Sequence, residues 1–149
     1  MELTPEDFFA IQMLIGQYSH AASTGDAEAV AATYSEDGVL TGFAPMLGQP
    51  DPNTVGRAAI RALFEGFLPG IEFIHQISQL SALSAFGDGA RGIVTVIENV
   101  RWRDQPVVTV NCRYADELVR TAEGWRFGHR VLTPVSVMTH AGEVQSFGG

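Results

Sequence analysis

Three side chains capable of acid–base chemistry fall in apolar rows of the sequence. In the stretch FIHQISQL, His75 falls at the same alternate positions as the apolar residues Phe73 and Ile77. In the last predicted strand, His129 likewise falls at the same alternate positions as its apolar neighbours. Glu98 is the polar member of an otherwise apolar row formed by Val94, Val96, Val100 and Trp102. Successive strand residues point to opposite faces, so we expect all three side chains to point inward, unless a β-bulge reverses the row of Glu98. Imidazole and buried carboxyl groups can move protons near neutral pH.

Other site chemistries lack their motifs in this sequence. The four histidines stand far apart, Cys112 is the single cysteine, and no HxxxH or HxH pair occurs, so a zinc site is not expected. No GxGxxG or GxxxxGKS/T loop opens a helix, and no GxSxG elbow is present. We therefore expect a cavity that works without a metal or cofactor.

Length and composition set the class of protein. A chain of 149 residues with 46% hydrophobic and 17% charged residues predicts one globular domain, residues 1–149, with a substantial core. The net charge of -8 disfavours nucleic acid and anionic membrane surfaces as partners, because both are held by clustered basic residues. The acidic start MELTPEDFF does not resemble a signal peptide, and a single cysteine allows no internal disulfide, so a cytoplasmic setting is expected.

Three helices are predicted in the first half of the chain. Thr4, Pro5 and Asp7 stand at N-cap, N1 and N3 positions, which predicts helix one over residues 5–23. Asp26 caps a second, brief helix, and helical spacing resumes over residues 56–68. The outward side of helix one carries Phe9, Met13 and His20, for which a subunit contact is one explanation.

The second half of the chain reads as an antiparallel meander. A first strand, VLTGF, is followed by the irregular loop APMLGQPDPNT, and from Ile71 onward the apolar period is two. Turn signals at 87–89, 104–106 and 122–124 divide this part into successive strands, which are long enough that we expect them to curve. Helices packed on a curved sheet make an α+β fold. The tail, residues 139–149, is expected to be loose or to form a flap.

The order of elements and five segments resemble the SnoaL-like branch of the superfamily named after nuclear transport factor 2, near its scytalone dehydratase-like members. The segments are Tyr18 followed by Gly25-Asp26, YSEDGVL at 34–40, GRAAIRALF at 56–64, FIHQIS at 73–78 and RYADELVRTAEGWRFGHR at 113–130. The resemblance implies a cone-shaped α+β barrel, in which a strongly curved, mostly antiparallel sheet wraps around the N-terminal helices and leaves an apolar pocket. It also implies a homodimer.

The resemblance further implies site residues. Dehydratase-like members have a histidine at the position of His75, an aspartate where this chain has Ser23, and a second pocket histidine where it has Asn111. Together with the inward rows predicted by alternation, the resemblance makes His75, Tyr18, Asn111 and His129 the candidate catalytic residues. The expected substrate-binding wall consists of Ser23, Phe43, Val94, Glu98 and Cys112. Two readings of one strand stay open. The resemblance points Asn111 inward, whereas simple alternation places Cys112 and its even-numbered neighbours there.

Two functions follow from this reading. In the first, His75 removes a proton beside a carbonyl, Tyr18 holds the developing oxyanion, and Asn111 or His129 supplies another donor, giving elimination of water or a double-bond shift in a small apolar or aromatic compound. Ser23 can orient His75 but supplies no negative charge, so an inward Glu98 with a raised pKa is the only replacement carboxylate. In the second, the same pocket binds a hydrophobic ligand without turnover.

Overall fold

Six strands form one sheet in the computed structural model, which describes residues 2–145 and residue 147. Along the sheet the strands lie in the order β2–β1–β6–β5–β4–β3. Their bounds are β1 Tyr34–Thr41, β2 Asn53–Val55, β3 Ile71–Phe86, β4 Gly89–Trp102, β5 Val108–Thr121 and β6 Gly124–Thr139. All neighbours are antiparallel except β1 and β6, so the sheet is mixed.

The three predicted helices are present, and the bounds of the first and third agree with the prediction to within one residue. They are α1 Pro5–Ser23, α2 Ala27–Ala32 and α3 Arg57–Phe67. Thr4 and Asp7 form a reciprocal capping box at the start of α1, and the Asp26 side chain accepts from the backbone N–H of Ala29 at the start of α2. The helix predictions are therefore confirmed.

The concave face of the sheet packs against the helices. One stripe of α1, with Ile11, Leu14, Ile15 and Tyr18, is buried in a core shared with α3 and the inner rows of β4, β5 and β6. The fold is α+β, a curved sheet closed into a cone around the N-terminal helices, as predicted. The predicted turns at 87–89, 104–106 and 122–124 separate β3, β4, β5 and β6.

The first strand starts earlier than predicted. β1 begins at Tyr34 rather than Val39, because Tyr34 pairs with Phe127 in the parallel β6 and a register shift before Val39 accommodates the acidic residues between them. Gly38 permits this shift: a Cβ there would lie 3.0 Å from the Phe127 carbonyl oxygen. The predicted loop holds a 3-10 turn, Ala44–Leu47, and the short β2.

Two further features concern the surface and the chain end. In the part of the chain that the structure describes, no helix has the length and apolar character needed to cross a membrane. Beyond Thr139, residues 140–145 and 147 are exposed and form neither helix nor strand, while 146, 148 and 149 lie outside the described residues. A loose tail or a flap stays a prediction.

Candidate functional site

A small cavity of about 70 Å³ lies between α1, α3 and the concave face of the sheet. Most of its wall is aliphatic or aromatic, including Phe43, Phe64 and Phe67. Tyr18 and Glu98, two of the predicted site residues, stand in this wall, and Gln76 joins them. An apolar cavity with a few convergent polar side chains is the arrangement typical of small-molecule sites.

Glu98 is the ionisable carboxyl group of the cavity. It lies on the inner face of β4 in the row of Val96 and Val100, so its predicted inward direction is confirmed. Burial raises the pKa of Glu98 above its ordinary value, and a hydrogen bond from Gln76 partly opposes that rise. The raised pKa brings proton transfer by this carboxyl group closer to neutral pH.

Gln76 faces Glu98 directly across β3 and β4. Its Nε2 donates to Glu98 Oε2 at 2.9 Å, and its Oε1 accepts from the Ser19 hydroxyl at 3.1 Å. The Ser19 hydroxyl also lies 2.6 Å from the hydroxyl of Ser78. Because Ser19 occupies the amide oxygen, the amide nitrogen of Gln76 is turned to the carboxylate.

Tyr18 lines the cavity and carries a neutral hydroxyl group. Its ring is buried, and its hydroxyl lies 3.3 Å from that of Tyr114. Burial raises the pKa of Tyr18 from its ordinary value of 10, so the hydroxyl keeps its proton at neutral pH and can donate it in a hydrogen bond.

The predicted inward position of His75 is wrong. Cross-strand partners share a face of the sheet, and since Gln76 and Glu98 are paired inside, His75 and its partner Asn99 point outward. The His75 side chain is exposed and borders an open groove with Ser23. Ser23 does not orient an inward imidazole there, because its hydroxyl accepts from the backbone N–H of Gln76 at 3.1 Å.

The predicted inward position of His129 is also wrong, because a bulge reverses the parity of β6. Glu117 pairs with His129 but Leu118 pairs with Phe127, which leaves Gly128 as the extra residue. His129 therefore lies on the outer face, where its Nε2 is 2.8 Å from the Thr41 hydroxyl.

In β5 the inward residues are those that simple alternation predicts, not those that the resemblance implies. Cys112 is buried on the inner face, whereas Asn111 points outward and donates to the Ser136 hydroxyl at 3.1 Å. The inward placement of Asn111 is thus a wrong expectation. Of the predicted binding residues, Phe43 borders the cavity, while Val94 and Cys112 are buried in the core beyond its wall. Burial raises the pKa of the Cys112 thiol to about 11.

Sequence reasoning missed a buried ion pair next to the site. Arg130 is 1% exposed, and its Nε and Nη2 donate to Asp116 Oδ1 and Oδ2 at 2.7 and 3.1 Å. The guanidinium carbon lies 3.8 Å from the ring centre of Tyr114 and 4.0 Å from that of Phe127. One signal was available: Asp116 falls in the even-numbered apolar row of β5, whereas the position of Arg130 depended on the bulge.

The described residues, 2–145 and 147, place no group of three or more His, Cys, Asp and Glu side chains where they could hold a metal ion. The polar side chains of the cavity wall are a carboxyl group with a raised pKa, an amide that donates to it, and a phenol. Together they can accept a proton and stabilise an oxyanion.

Comparisons with known proteins agree with this architecture. The model of the SnoaL-like domain family matches residues 5–131. No curated protein matches the chain in sequence.

Similar solved structures include a candidate aromatic ring hydroxylase and a candidate scytalone dehydratase, both from Novosphingobium aromaticivorans. The first is 29% identical, with a TM-score of 0.77, over 93% of this chain and 96% of that one. The second is 18% identical, with a TM-score of 0.80, over 93% and 90%. The hexachlorocyclohexane dehydrochlorinase LinA-type3 from Novosphingobium barchaimii is 16% identical, with a TM-score of 0.79, over 95% and 94%. By the extent of the family match and by its fold, the chain belongs to the SnoaL-like domain family.

Proposed function

We propose that this protein is a cofactor-independent lyase or isomerase that transfers a proton on a small apolar carbonyl or hydroxy-carbonyl compound. One observation carries the proposal: Glu98 presents a carboxyl group with a raised pKa to an apolar cavity, opposite a fixed amide donor. The family includes proteins with dehydratase and dehydrochlorinase names, which fits a reaction of this class.

In the proposed reaction, the Glu98 carboxylate takes a proton from the carbon next to the substrate carbonyl. The electron pair of the broken C–H bond forms a C=C bond, and the carbonyl oxygen becomes an enolate oxygen, to which the Tyr18 hydroxyl donates a hydrogen bond. Elimination follows when the enolate expels a hydroxyl group from the neighbouring carbon, which leaves as water after taking the proton from Glu98. Isomerisation follows when Glu98 returns the proton to a different carbon.

The residues proposed for this reaction differ from the sequence expectation. Glu98 takes the role expected of His75, Tyr18 keeps its role, and Gln76 positions the carboxylate. His75, Asn111 and His129 lie on the outer face and have no part in the proposed step.

Hydrogen–deuterium exchange tests the proposal without a known substrate. Acetone, cyclopentanone and acetophenone in D₂O are followed by NMR for loss of the signal of the protons next to the carbonyl. We expect wild type to accelerate exchange of at least one ketone, and Glu98→Gln to lose about 100-fold or more of that acceleration. Glu117→Gln, which changes an exposed glutamate on β5, is the matched control. Equal exchange by wild type and Glu98→Gln would remove Glu98 from the mechanism.

A second candidate function is a binding protein without turnover. It is favoured by the hydrogen bond that already satisfies one oxygen of Glu98. The same experiment separates the two functions: a pure binding protein takes up the ketones in calorimetry but leaves their exchange at the rate of buffer.

A homodimer is the proposed assembly. Ile77 and Ile97 are cross-strand partners on the outer face of the sheet and are 57% and 45% exposed. Phe9 and Met13 on α1 are also exposed and form a second apolar surface. The outer face of the sheet is the proposed interface because it offers paired strands that a second sheet can cover.

A further inference from the structure

An open hollow of about 610 Å³ lies outside the cavity. Ala62, Leu63 and Gly66 of α3 line one side of it, and Gln49 is a polar member of its wall. Among the described residues that line this hollow, no side chain carries a charge. The hollow is therefore suited to an uncharged group, which would meet polar groups as well as apolar side chains.

The hollow and the cavity share part of their walls. Four residues line both volumes: Met46, Leu47, Phe67 and Trp102. Met46 is 45% exposed and Trp102 is 36% exposed, so both also face outward. We refer to these four residues as the partition.

Met46, on the 3-10 turn, is exposed and can move aside by rotation of its side chain. Met46 has an unbranched side chain with three rotatable bonds. Phe67 and Trp102, on α3 and β4, supply flat aromatic surfaces on the other side.

Neither volume alone fits a substrate well. Sites for drug-sized ligands have volumes of about 300–1,000 Å³, a range that the hollow reaches and the cavity does not. The hollow, in turn, has no ionisable side chain to perform chemistry.

We propose that the cavity and the hollow are two subsites of one ligand site. The ligand is an uncharged, elongated molecule whose carbonyl-bearing end lies beside Glu98 and whose flat aromatic tail crosses the partition to lie against Phe67 and Trp102. Met46 turns aside to admit the tail. The position of the carbonyl end rests on the proposed function, whereas the position of the tail rests on the geometry of the hollow.

A pair of ketones that differ only in their tail tests this proposal. Binding of acetophenone and 4-acetylbiphenyl is measured by calorimetry, so turnover is not required. In wild type we expect the second ring to improve the dissociation constant about tenfold, because it buries apolar surface in the hollow.

Gly66→Phe fills the hollow without disturbing the helix. A Cβ at Gly66 meets nothing within 4 Å, and Gly66 lies within α3. We expect this variant to lose the tenfold advantage of 4-acetylbiphenyl while binding acetophenone within about twofold of wild type. Gly16→Phe is the matched control, since Gly16 is also an exposed helical glycine with open space at its Cβ.

The outcomes separate the two proposals. If neither ketone binds wild type, or if Gly66→Phe weakens both ketones equally or neither, the second subsite is overturned. If the tail preference persists in Glu98→Gln while wild type shows no exchange activity, the proposed function fails and the two-part ligand site stands. If exchange depends on Glu98 but the tail adds no affinity, the two-part ligand site fails and the proposed function stands.

Discussion

The amide nitrogen of Gln76 lies 2.9 Å from a carboxylate oxygen of Glu98, across two paired strands and at the wall of an apolar cavity. The site has two opposing effects on the ionisation of Glu98. Burial favours the neutral form of Glu98, and the amide donor favours the charged form. The balance between them sets the pH at which the carboxyl group can accept a proton.

Removal of the amide should shift the pH dependence of exchange. In Gln76→Leu the desolvation of Glu98 remains but the hydrogen bond is lost, so the pKa of Glu98 rises further. The acid-side limb of the exchange profile, on which the rate rises as Glu98 loses its proton, therefore moves to higher pH. NMR exchange rates between pH 4 and pH 9 measure this shift. Gln79→Leu, an exposed glutamine on the same strand, should leave the profile unchanged. A limb that stays in place in Gln76→Leu would contradict the role of the amide.

The negative charge of Glu98 should destabilise the folded protein at neutral pH. A group whose pKa is raised on folding stabilises the folded state below its unfolded pKa, and this stabilisation is lost as the pH rises through the folded pKa. Glu98→Gln should therefore raise the melting temperature at pH 7 by about 3 °C, with the gain disappearing below the ordinary value of 4.5. Thermal unfolding followed by circular dichroism at pH 7 and pH 4 checks this. A gain of equal size at both pH values would show that the charge is not its cause.

Removal of one member of the buried ion pair should destabilise the protein more than replacement of both members. Asp116→Asn leaves the buried Arg130 without its counter-charge and should lower the free energy of unfolding by about 3–5 kcal/mol. Asp116→Leu combined with Arg130→Met should recover part of that loss, because no unpaired charge remains inside. Urea unfolding measures both variants. Glu65→Gln, which breaks the exposed pair with Arg61, should cost less than about 1 kcal/mol.

A charge on the outer face of the sheet should disrupt the proposed homodimer. Ile97→Lys places an ammonium group in the proposed interface, so light scattering should give the mass of one chain for this variant and of two chains for wild type. Val55→Lys, at a 64% exposed position on β2, is the control that should remain dimeric. A dimer that survives Ile97→Lys but is lost in Phe9→Lys would place the interface on α1 instead.

Low pH should weaken the start of α1. The Thr4 backbone hydrogen bond, with donors from Trp125 and Arg120, lowers the pKa of Asp7 from 3.8 to about 2 despite the opposing effect of burial. Asp7→Asn should therefore destabilise the protein at pH 7, and its difference from wild type should shrink as the pH falls from about 4 to about 2. Melting temperatures across this range provide the measurement. A difference that does not change with pH would point to geometry rather than charge.

Local chemistry explains which parts of the fold could be predicted. The start of α1 follows from Thr4 and Asp7, whose side chains satisfy the first free backbone groups of the helix. The start of β1 could not be read in this way, because Tyr34 joins the sheet through a parallel partner more than 90 residues away.

The prediction of the site residues depended on which face of each strand a residue occupies. The sequence specifies these faces less firmly than it specifies helix starts. In β3 both rows contain apolar residues, so neither Phe73 nor Ile74 decides whether His75 or Gln76 faces the core; the pairing of Gln76 with Glu98 decides it. In β6 a single bulge at Gly128 turns His129 to the outer face and Arg130 to the inner face. No short pattern of apolar residues predicts this bulge.

The isolation of the Cys112 thiol makes this chain convenient for site-specific labelling. With its pKa at about 11 and its side chain buried, Cys112 holds almost no reactive thiolate at pH 7. A maleimide dye would therefore spare the native sulfur and attach to a cysteine introduced on the surface. Conformational probes can be added to the protein without first removing its own thiol.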